Sequence, residues 1–287
     1  MLSAVAMTDG IDRYAVIGRP IRHTVSPLVH GLFAEQTGQA MTYEVIEGPS
    51  SSSEFAAVVR AFIVDGGKGM NVTAQFKADA FSLADEVSER AWLSGAANTL
   101  TFTADGRIHA DTYDGLALCR DIEVNLGQSL AGRRLLLLGA GGAARAAIAP
   151  FVAAGPAEFV VANRTLSKAA ELAELGGRLG GTVRACGYDS FDGLGSFDVV
   201  VNATSASLTG ELPPVPMRSF DPAGLAYDLA YGRGLTPFLH HAQAAGVAHL
   251  ADGAGMLVEQ AADAFARWRG LRPRTETVIA ELAAHSN

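Results

Sequence analysis

The chain has 287 residues, of which 49% are hydrophobic and 18% charged, with a formal net charge of −8. That length suffices for two domains, and the acidic balance argues against nucleic acid or a membrane surface as partner. No apolar run reaches the ~18 residues of a membrane span, and two isolated cysteines, Cys119 and Cys186, fit buried thiols in a reducing, cytoplasmic setting.

Met1–Gly10 lacks the basic flank and long apolar stretch of a secretion signal and reads as a short extension, with Met7 as an alternative start. Tyr14–Gly18 then reads as a buried strand. Ser26-Pro27 signals a helix start, with Ser26 as N-cap and Pro27 in the first helical position. A capping hydroxyl can still donate to an anion beyond the helix, so both roles stand open for Ser26. Leu28 with Leu32 and Val29 with Phe33 form the apolar face, and Gly38 ends the helix. Met41–Ile46 alternates like a strand, and a helix follows through Val59 and Phe62. Gly66–Gly69 reads as a glycine loop carrying Lys68. Met70–Thr73 reads as a strand, and Ala74–Lys77 enters a helix through Phe81 and Leu83. Lys77 falls near that helix N-terminus, where the macrodipole disfavours a cation and eases loss of its proton. This suits an acid–base group; a solvated lysine is the plain alternative, and Lys68 is the local rival. Asp105-Gly106 marks a hairpin between strands Leu100–Thr103 and Arg107–Thr112. Asn98 precedes the first of these as a turn residue, and Asp114 reads as the N-cap of a helix over Leu116–Val124.

Four leucines, Leu135–Leu138, run into Gly139-Ala-Gly-Gly-Ala-Ala144. An apolar run ending in glycines reads as a buried parallel strand entering a tight turn. Gly139, Gly141 and Ala144 fit the G-x-G-x-x-A dinucleotide fingerprint, and the helix that follows offers its N-terminus to phosphate. The next strand, Glu158–Ala162, ends at Asn163-Arg164-Thr165. An NAD-binding fold places an acid about 20 residues past the glycines, to hold the ribose hydroxyl. Here Arg164 and Lys168 occupy that region, with Thr165 and Ser167 as donors. A guanidinium pairs with a 2′-phosphate that a carboxylate would repel, so the expected cofactor is NADP. Further strands are expected at Phe197–Val201, Leu225–Tyr231 and Val247–Leu250. Thr236-Pro237 opens a helix that Gly246 ends, Asp252–Met256 reads as a turn, and Leu257–Trp268 has a helical period. His240 and His241 diverge on their helix, and no zinc-type spacing occurs anywhere, so no metal is expected.

Several of these segments together resemble the shikimate dehydrogenase family from Tyr14 onward. They are Gly18–Pro27, Gly67–Lys77, Gly95–Leu100, Asp114-Gly115, Gly139–Ala143, Asn163–Thr165, Asn202–Ser205 and Asp252–Gln260. The resemblance implies reversible hydride transfer between NADP(H) and the small-molecule pair shikimate/3-dehydroshikimate, in aromatic amino-acid biosynthesis. It implies an α/β fold of two domains: a substrate domain with a mostly parallel sheet over 1–113 and a Rossmann NADP-binding domain over 114–251. C-terminal helices over 252–287 are expected to return to the first domain, in a monomer or homodimer. By motif, Lys77 and Asp114 are the catalytic pair. Thr24 and Ser26 hold the substrate carboxylate, aided by Tyr231. Asn71, Thr73, Asn98 and Gln260 hold ring hydroxyls. The cofactor falls to Gly139, Ala140, Gly141, Gly142, Ala143, Asn163, Arg164, Thr165, Lys168, Asn202, Thr204 and Gly253. Thr24 replaces the first serine of the usual Ser-x-Ser pair, Thr112-Tyr113 replaces the usual Asn-Thr before Asp114, and Gln75 replaces a proline. The choice among shikimate, quinate and an amino analogue stays open on these departures, as do NAD use and a non-catalytic NADP-sensing role.

Overall fold

A computed structural model describes residues 11–22, 24–232 and 234–286. The N-terminal extension, Met7 and His23 lie outside the described residues. The chain divides into two compact units, one comprising residues 1–111 and 261–274, the other 112–260 and 275–287.

The first unit runs β1 (Asp12–Gly18), α1 (Ser26–Thr37), β2 (Met41–Glu47), α2 (Ser52–Val64), β3 (Gly67–Val72), α3 (Lys77–Leu83), β4 (Glu86–Val87), α4 (Glu89–Ser94), β5 (Thr99–Phe102) and β6 (Ile108–Asp111). Its six-stranded sheet has the order β2-β1-β3-β5-β6-β4. β2, β1 and β3 are mutually parallel, and β5 runs antiparallel to both β3 and β6. One face buries Ala15, Ile17, Met70, Val72 and Leu100 against Phe55, Val59, Phe62 and Phe76. On that alternation, neighbouring strand positions such as Tyr14 and Asn71 fall to the other face. There Trp268 stacks on Tyr14 at 4.7 Å and donates its indole N–H to Leu100 O at 3.1 Å.

Two local expectations change in this unit, and two short elements had none. Lys68 lies within β3, and no glycine loop forms. The glycines on either side make room: a Cβ on Gly67 would meet Phe62 at 2.3 Å, and one on Gly69 would meet Trp268 at the same distance. Ser26 is the first residue of α1 and caps nothing with its side chain. Thr24 Oγ1 instead takes the Ser26 N–H, so the cap is supplied from two residues upstream. The short elements β4 and α4 carry too few apolar positions to show a period.

The second unit continues with α5 (Asp114–Arg120), β7 (Arg134–Leu138), α6 (Gly142–Ala154), β8 (Glu158–Ala162), α7 (Leu166–Arg178), β9 (Val183–Cys186), β10 (Phe197–Asn202), β11 (Phe220–Asp228), α8 (Pro237–Ala244), β12 (His249–Asp252), α9 (Ala254–Arg269) and α10 (Glu276–Ser286). α9 passes into the first unit at Ala261. The sheet order is β12-β11-β10-β7-β8-β9, parallel throughout. Counted from β7, this is the 3-2-1-4-5-6 order of the Rossmann fold, reversing direction between β7 and β10. Leu135–Leu138 are fully buried, as a strand covered on both faces requires. The expected helix over Leu116–Val124 starts two residues earlier, so Asp114 is its first residue and no side-chain cap forms. After Arg120 it widens into a π-turn over Asp121–Asn125. The turn expected at Asp252–Met256 is already the start of α9.

Candidate active site

In the first unit, the C-terminal edge of the sheet gathers the substrate candidates. β1 ends at Gly18 and β3 at Val72, with Thr73 N–H bonded to Ile17 O at 3.0 Å. Thr73 lies directly over Gly18: a Cβ there would stand 2.2 Å from Thr73 Oγ1, so only glycine admits this threonine. Lys77 opens α3 after a short 3-10 turn over Ala74–Phe76. Its carbonyl accepts Ala97 N–H at 2.9 Å, while Asn98 O accepts Val72 N–H at 2.8 Å. These two backbone bonds tie both Lys77 and the end of β3 to the Ala97–Asn98 segment.

The hydroxyls and amides here form one connected network. Thr24 Oγ1–H donates to Ser26 Oγ at 3.0 Å, and Ser26 N–H donates back to Thr24 Oγ1 at 3.2 Å. Tyr43 O–H donates to Asn71 Oδ1 at 2.7 Å. Asn71 Nδ2 donates to Asn98 O at 3.3 Å and to Thr99 Oγ1 at 3.2 Å, and Thr99 donates to Asn98 Oδ1 at 2.9 Å. Burial holds the Tyr43 phenol protonated, its pKa well above the ordinary value despite the opposing effect of nearby Ser26. Sequence reasoning named Thr24, Ser26, Asn71 and Asn98 but missed Tyr43 and Thr99. The signal for Thr99 was two polar residues in a row entering a buried strand. Tyr43 gave none, because a tyrosine in an alternating strand is ordinary.

In the second unit, the strand ends of β7, β8 and β10 lie side by side. Gly139 N–H bonds Ala162 O at 2.8 Å, and Ala203 N–H bonds Leu138 O at 2.9 Å. Gly139 has φ +104°, and a Cβ there would stand 3.0 Å from Ala203 O, so conformation and space both demand glycine. Gly141 and Gly142 are exposed with nothing within 4 Å of a Cβ, and no side chain caps α6. The first N–H groups of that helix are thus presented at an open backbone, the arrangement a pyrophosphate fills. Ala140 and Ala143 flank it, half-buried. At the end of β8, Asn163 Nδ2 donates to Thr165 O at 2.9 Å and shapes the turn, leaving Arg164, Thr165 and Lys168 exposed. Tyr188 stands near enough to Arg164 to feel its charge, which works against the burial that raises the phenol.

Asn202 is fully buried, and its side chain serves the protein. Its Oδ1 accepts Thr204 N–H and O–H at 3.1 and 2.7 Å, and its Nδ2 donates to Asp228 Oδ1 at 3.1 Å. Asp228, also fully buried, accepts further bonds from Ser207, Thr236 and Ala230 N–H at 2.5, 2.6 and 3.1 Å. This carboxylate, missed in the sequence, gathers the loops after β10 and β11. An acid within the apolar run Leu225–Leu229 was its signal. It also explains why the strand expected through Tyr231 leaves the sheet at Asp228. Gly253 has a packing reason of its own, since a Cβ would stand 2.2 Å from Leu229 O. Asp114 is buried at the start of α5, Tyr231 is exposed after β11, and Gln260 is half-buried in α9. Among the described residues no cluster could hold a metal ion, and no helix is long and apolar enough to cross a membrane.

Three family models match in succession: the shikimate dehydrogenase substrate binding domain over residues 16–100, shikimate/quinate 5-dehydrogenase over 121–252, and the shikimate 5′-dehydrogenase C-terminal domain over 253–283. A shikimate dehydrogenase (NADP(+)) of Nitrosospira multiformis is 52% identical, covering 94% of this chain and 97% of its own. The crystal structure of an Ael1 enzyme from Pseudomonas putida is similar with a TM-score of 0.88 and 58% identity, over 94% of this chain and 98% of that one. That of shikimate 5-dehydrogenase from Thermus thermophilus, in complex with NADP(H) and shikimate, gives a TM-score of 0.83 and 31% identity, over 96% and 100%. With both units matched in order and half the residues shared with a relative of full length, the chain belongs to the shikimate dehydrogenase family.

Proposed function

We propose that the chain catalyses the NADP-dependent, reversible reduction of 3-dehydroshikimate to shikimate, with Lys77 and Asp114 as the catalytic pair. The observation that carries this reading is the gathering of Thr24, Ser26, Asn71, Thr73, Lys77 and Asn98 at one edge of the first sheet. NADP, when bound, supplies the hydride in reduction and takes it in oxidation. Addition of hydride to a ketone leaves negative charge on oxygen. Lys77 stabilises that oxygen and delivers its proton, and accepts the proton in the reverse direction. Asp114 orients Lys77 and a substrate hydroxyl. Thr24 donates to Ser26, and the two hydroxyls hold the substrate carboxylate, aided by Tyr231. Asn71, Thr73, Asn98 and Gln260 hold the ring hydroxyls. A site built of such groups rejects analogues that leave them unpaired.

The cofactor pyrophosphate rests on the backbone of Gly139–Ala143 at the α6 N-terminus. Arg164, with Thr165 and Lys168, takes the 2′-phosphate, and Thr204 and Gly253 complete the crevice. Asn202 acts on it through Thr204. The enzyme works in the cytoplasm as a monomer or homodimer.

Absorbance of the reduced cofactor tests the reading with shikimate and quinate, each with NADP and NAD. Turnover is expected to be fastest for shikimate with NADP. A preference for quinate with NAD overturns the substrate and cofactor assignment, and no turnover on any pair favours a sensor.

A further inference from the structure

Asn71 is held more completely than a ligand-binding amide needs to be. Asn98 O can only accept a hydrogen bond, so the Asn71 atom 3.3 Å from it is the NH2 group. The second proton of that group goes to Thr99 Oγ1 at 3.2 Å. The remaining atom, Oδ1, therefore faces Tyr43 and receives the phenol proton at 2.7 Å. One lone pair of Oδ1 is left.

Tyr43 is itself held from behind. Its ring stacks on His30 with centroids 4.1 Å apart and planes within 10°. His30 is completely buried among Phe33, Phe265 and Trp268, and neither ring nitrogen has a hydrogen-bond partner among the described residues. Burial drives its pKa down to about 3, against the opposing effect of neighbouring Asn71, so the ring is neutral. A neutral ring packed flat against the phenol fixes its plane and adds no charge next to the substrate.

We propose that Tyr43, seated on His30, is a positioning residue that makes Asn71 an acceptor-only contact and so selects a hydrogen-bond-donating hydroxyl on the substrate ring. The inference rests on Asn71 touching substrate, as assigned above. A ring carbonyl or ether at that position would meet a lone pair and be rejected. Without the phenol, the Asn71 amide loses one of its three anchors and Oδ1 gains a second open lone pair.

Steady-state kinetics and calorimetric shikimate binding of Tyr43→Phe test this, since phenylalanine keeps the stack and removes only the hydroxyl. KM and Kd for shikimate are expected to rise about tenfold, with kcat and the KM for NADP near the parent values. In an Asn71→Ala background the same substitution is expected to add clearly less than in the parent, because Tyr43 acts chiefly through that amide and only secondarily beside Ser26. Thr99→Val, which removes another anchor of the Asn71 amide and frees Asn98 Oδ1 as well, is expected to raise the shikimate KM at least as much and serves if Tyr43→Phe fails to fold. An unchanged shikimate KM, a parallel fall in kcat and NADP affinity, or an equal increment in both backgrounds overturns the proposal. A parent that neither binds nor turns over shikimate overturns the functional reading along with it. A parent that does both, with Tyr43→Phe indistinguishable from it, overturns this inference alone.

Discussion

On the proposed assignment of sites, the two units recognise their ligands by opposite means. The second offers bare backbone: Gly139 turns where no other residue fits, Gly141 and Gly142 lie open, and α6 starts uncapped. The first offers side chains, each oriented by another, from Tyr43 through Asn71 and Thr99 to Asn98. The difference follows from what is bound. A pyrophosphate is a diffuse anion that a row of N–H groups satisfies, and backbone is positioned by the fold itself. A ring with several hydroxyls needs donors and acceptors at particular points, and side chains hold such points only when they are locked. Polar side chains in the second unit are still numerous, but they work beneath the surface: the Asp228 network shapes the loops that present the backbone.

Substitutions sharpen this contrast. The largest effect is expected at Lys77, where Lys77→Ala lowers kcat by about 1,000-fold, with NADP affinity near normal. A variant within about tenfold of the parent removes Lys77 from the mechanism. Next is Asp228→Ala, which strands the Asn202, Ser207 and Thr236 donors in a buried site. Urea unfolding should show a loss of about 3 kcal/mol, accompanied by weaker NADP binding. Full stability in that variant would mean the carboxylate is not the tie between these loops. Arg164→Ala should raise the KM for NADP by at least about tenfold while barely altering that for NAD. Equal losses for both cofactors would refute a 2′-phosphate role.

The smallest effect concerns His30 and acid. Its folded pKa of about 3 lies below the ordinary 6.5, so the unfolded chain takes up a proton that the native one refuses. The corresponding stability is complete above pH 6.5 and is lost progressively as pH falls toward 3. Between pH 6.5 and 5.5 the cost approaches about 1 kcal/mol, and His30→Phe should flatten that part of a stability–pH curve. An unchanged slope would show that other groups set the acid response.

Much of the second unit was legible in order. An apolar run ending in glycines, followed by small helix formers, has few solutions, and β7 with α6 is the observed one. Arg164 and Lys168 stood out because an acid was missing where NAD would need it. The first unit was legible in its motifs and less so in its local roles. Ser26 and Asp114 looked like caps, yet each is the first residue of its helix, since propensity cannot say which neighbour supplies the cap. Gly67-Lys68-Gly69 looked like a loop because glycine signals flexibility, whereas Phe62 and Trp268 require its small size within a strand.

By itself, the order of residues determined the type of the strongly periodic elements, the dinucleotide turn, the leaning toward a phosphorylated cofactor and the family. These depend on local periodicity and on motifs whose spacing survives without coordinates. Only the tertiary structure decided which polar groups hold one another in place. Tyr43 and Asn71 lie 28 positions apart, and Asn202 and Asp228 lie 26 apart, and each pair meets only once its sheet has formed. Hydrogen bonds act over about 3 Å, so partners that distant in the chain leave no mark in it until folding brings them together.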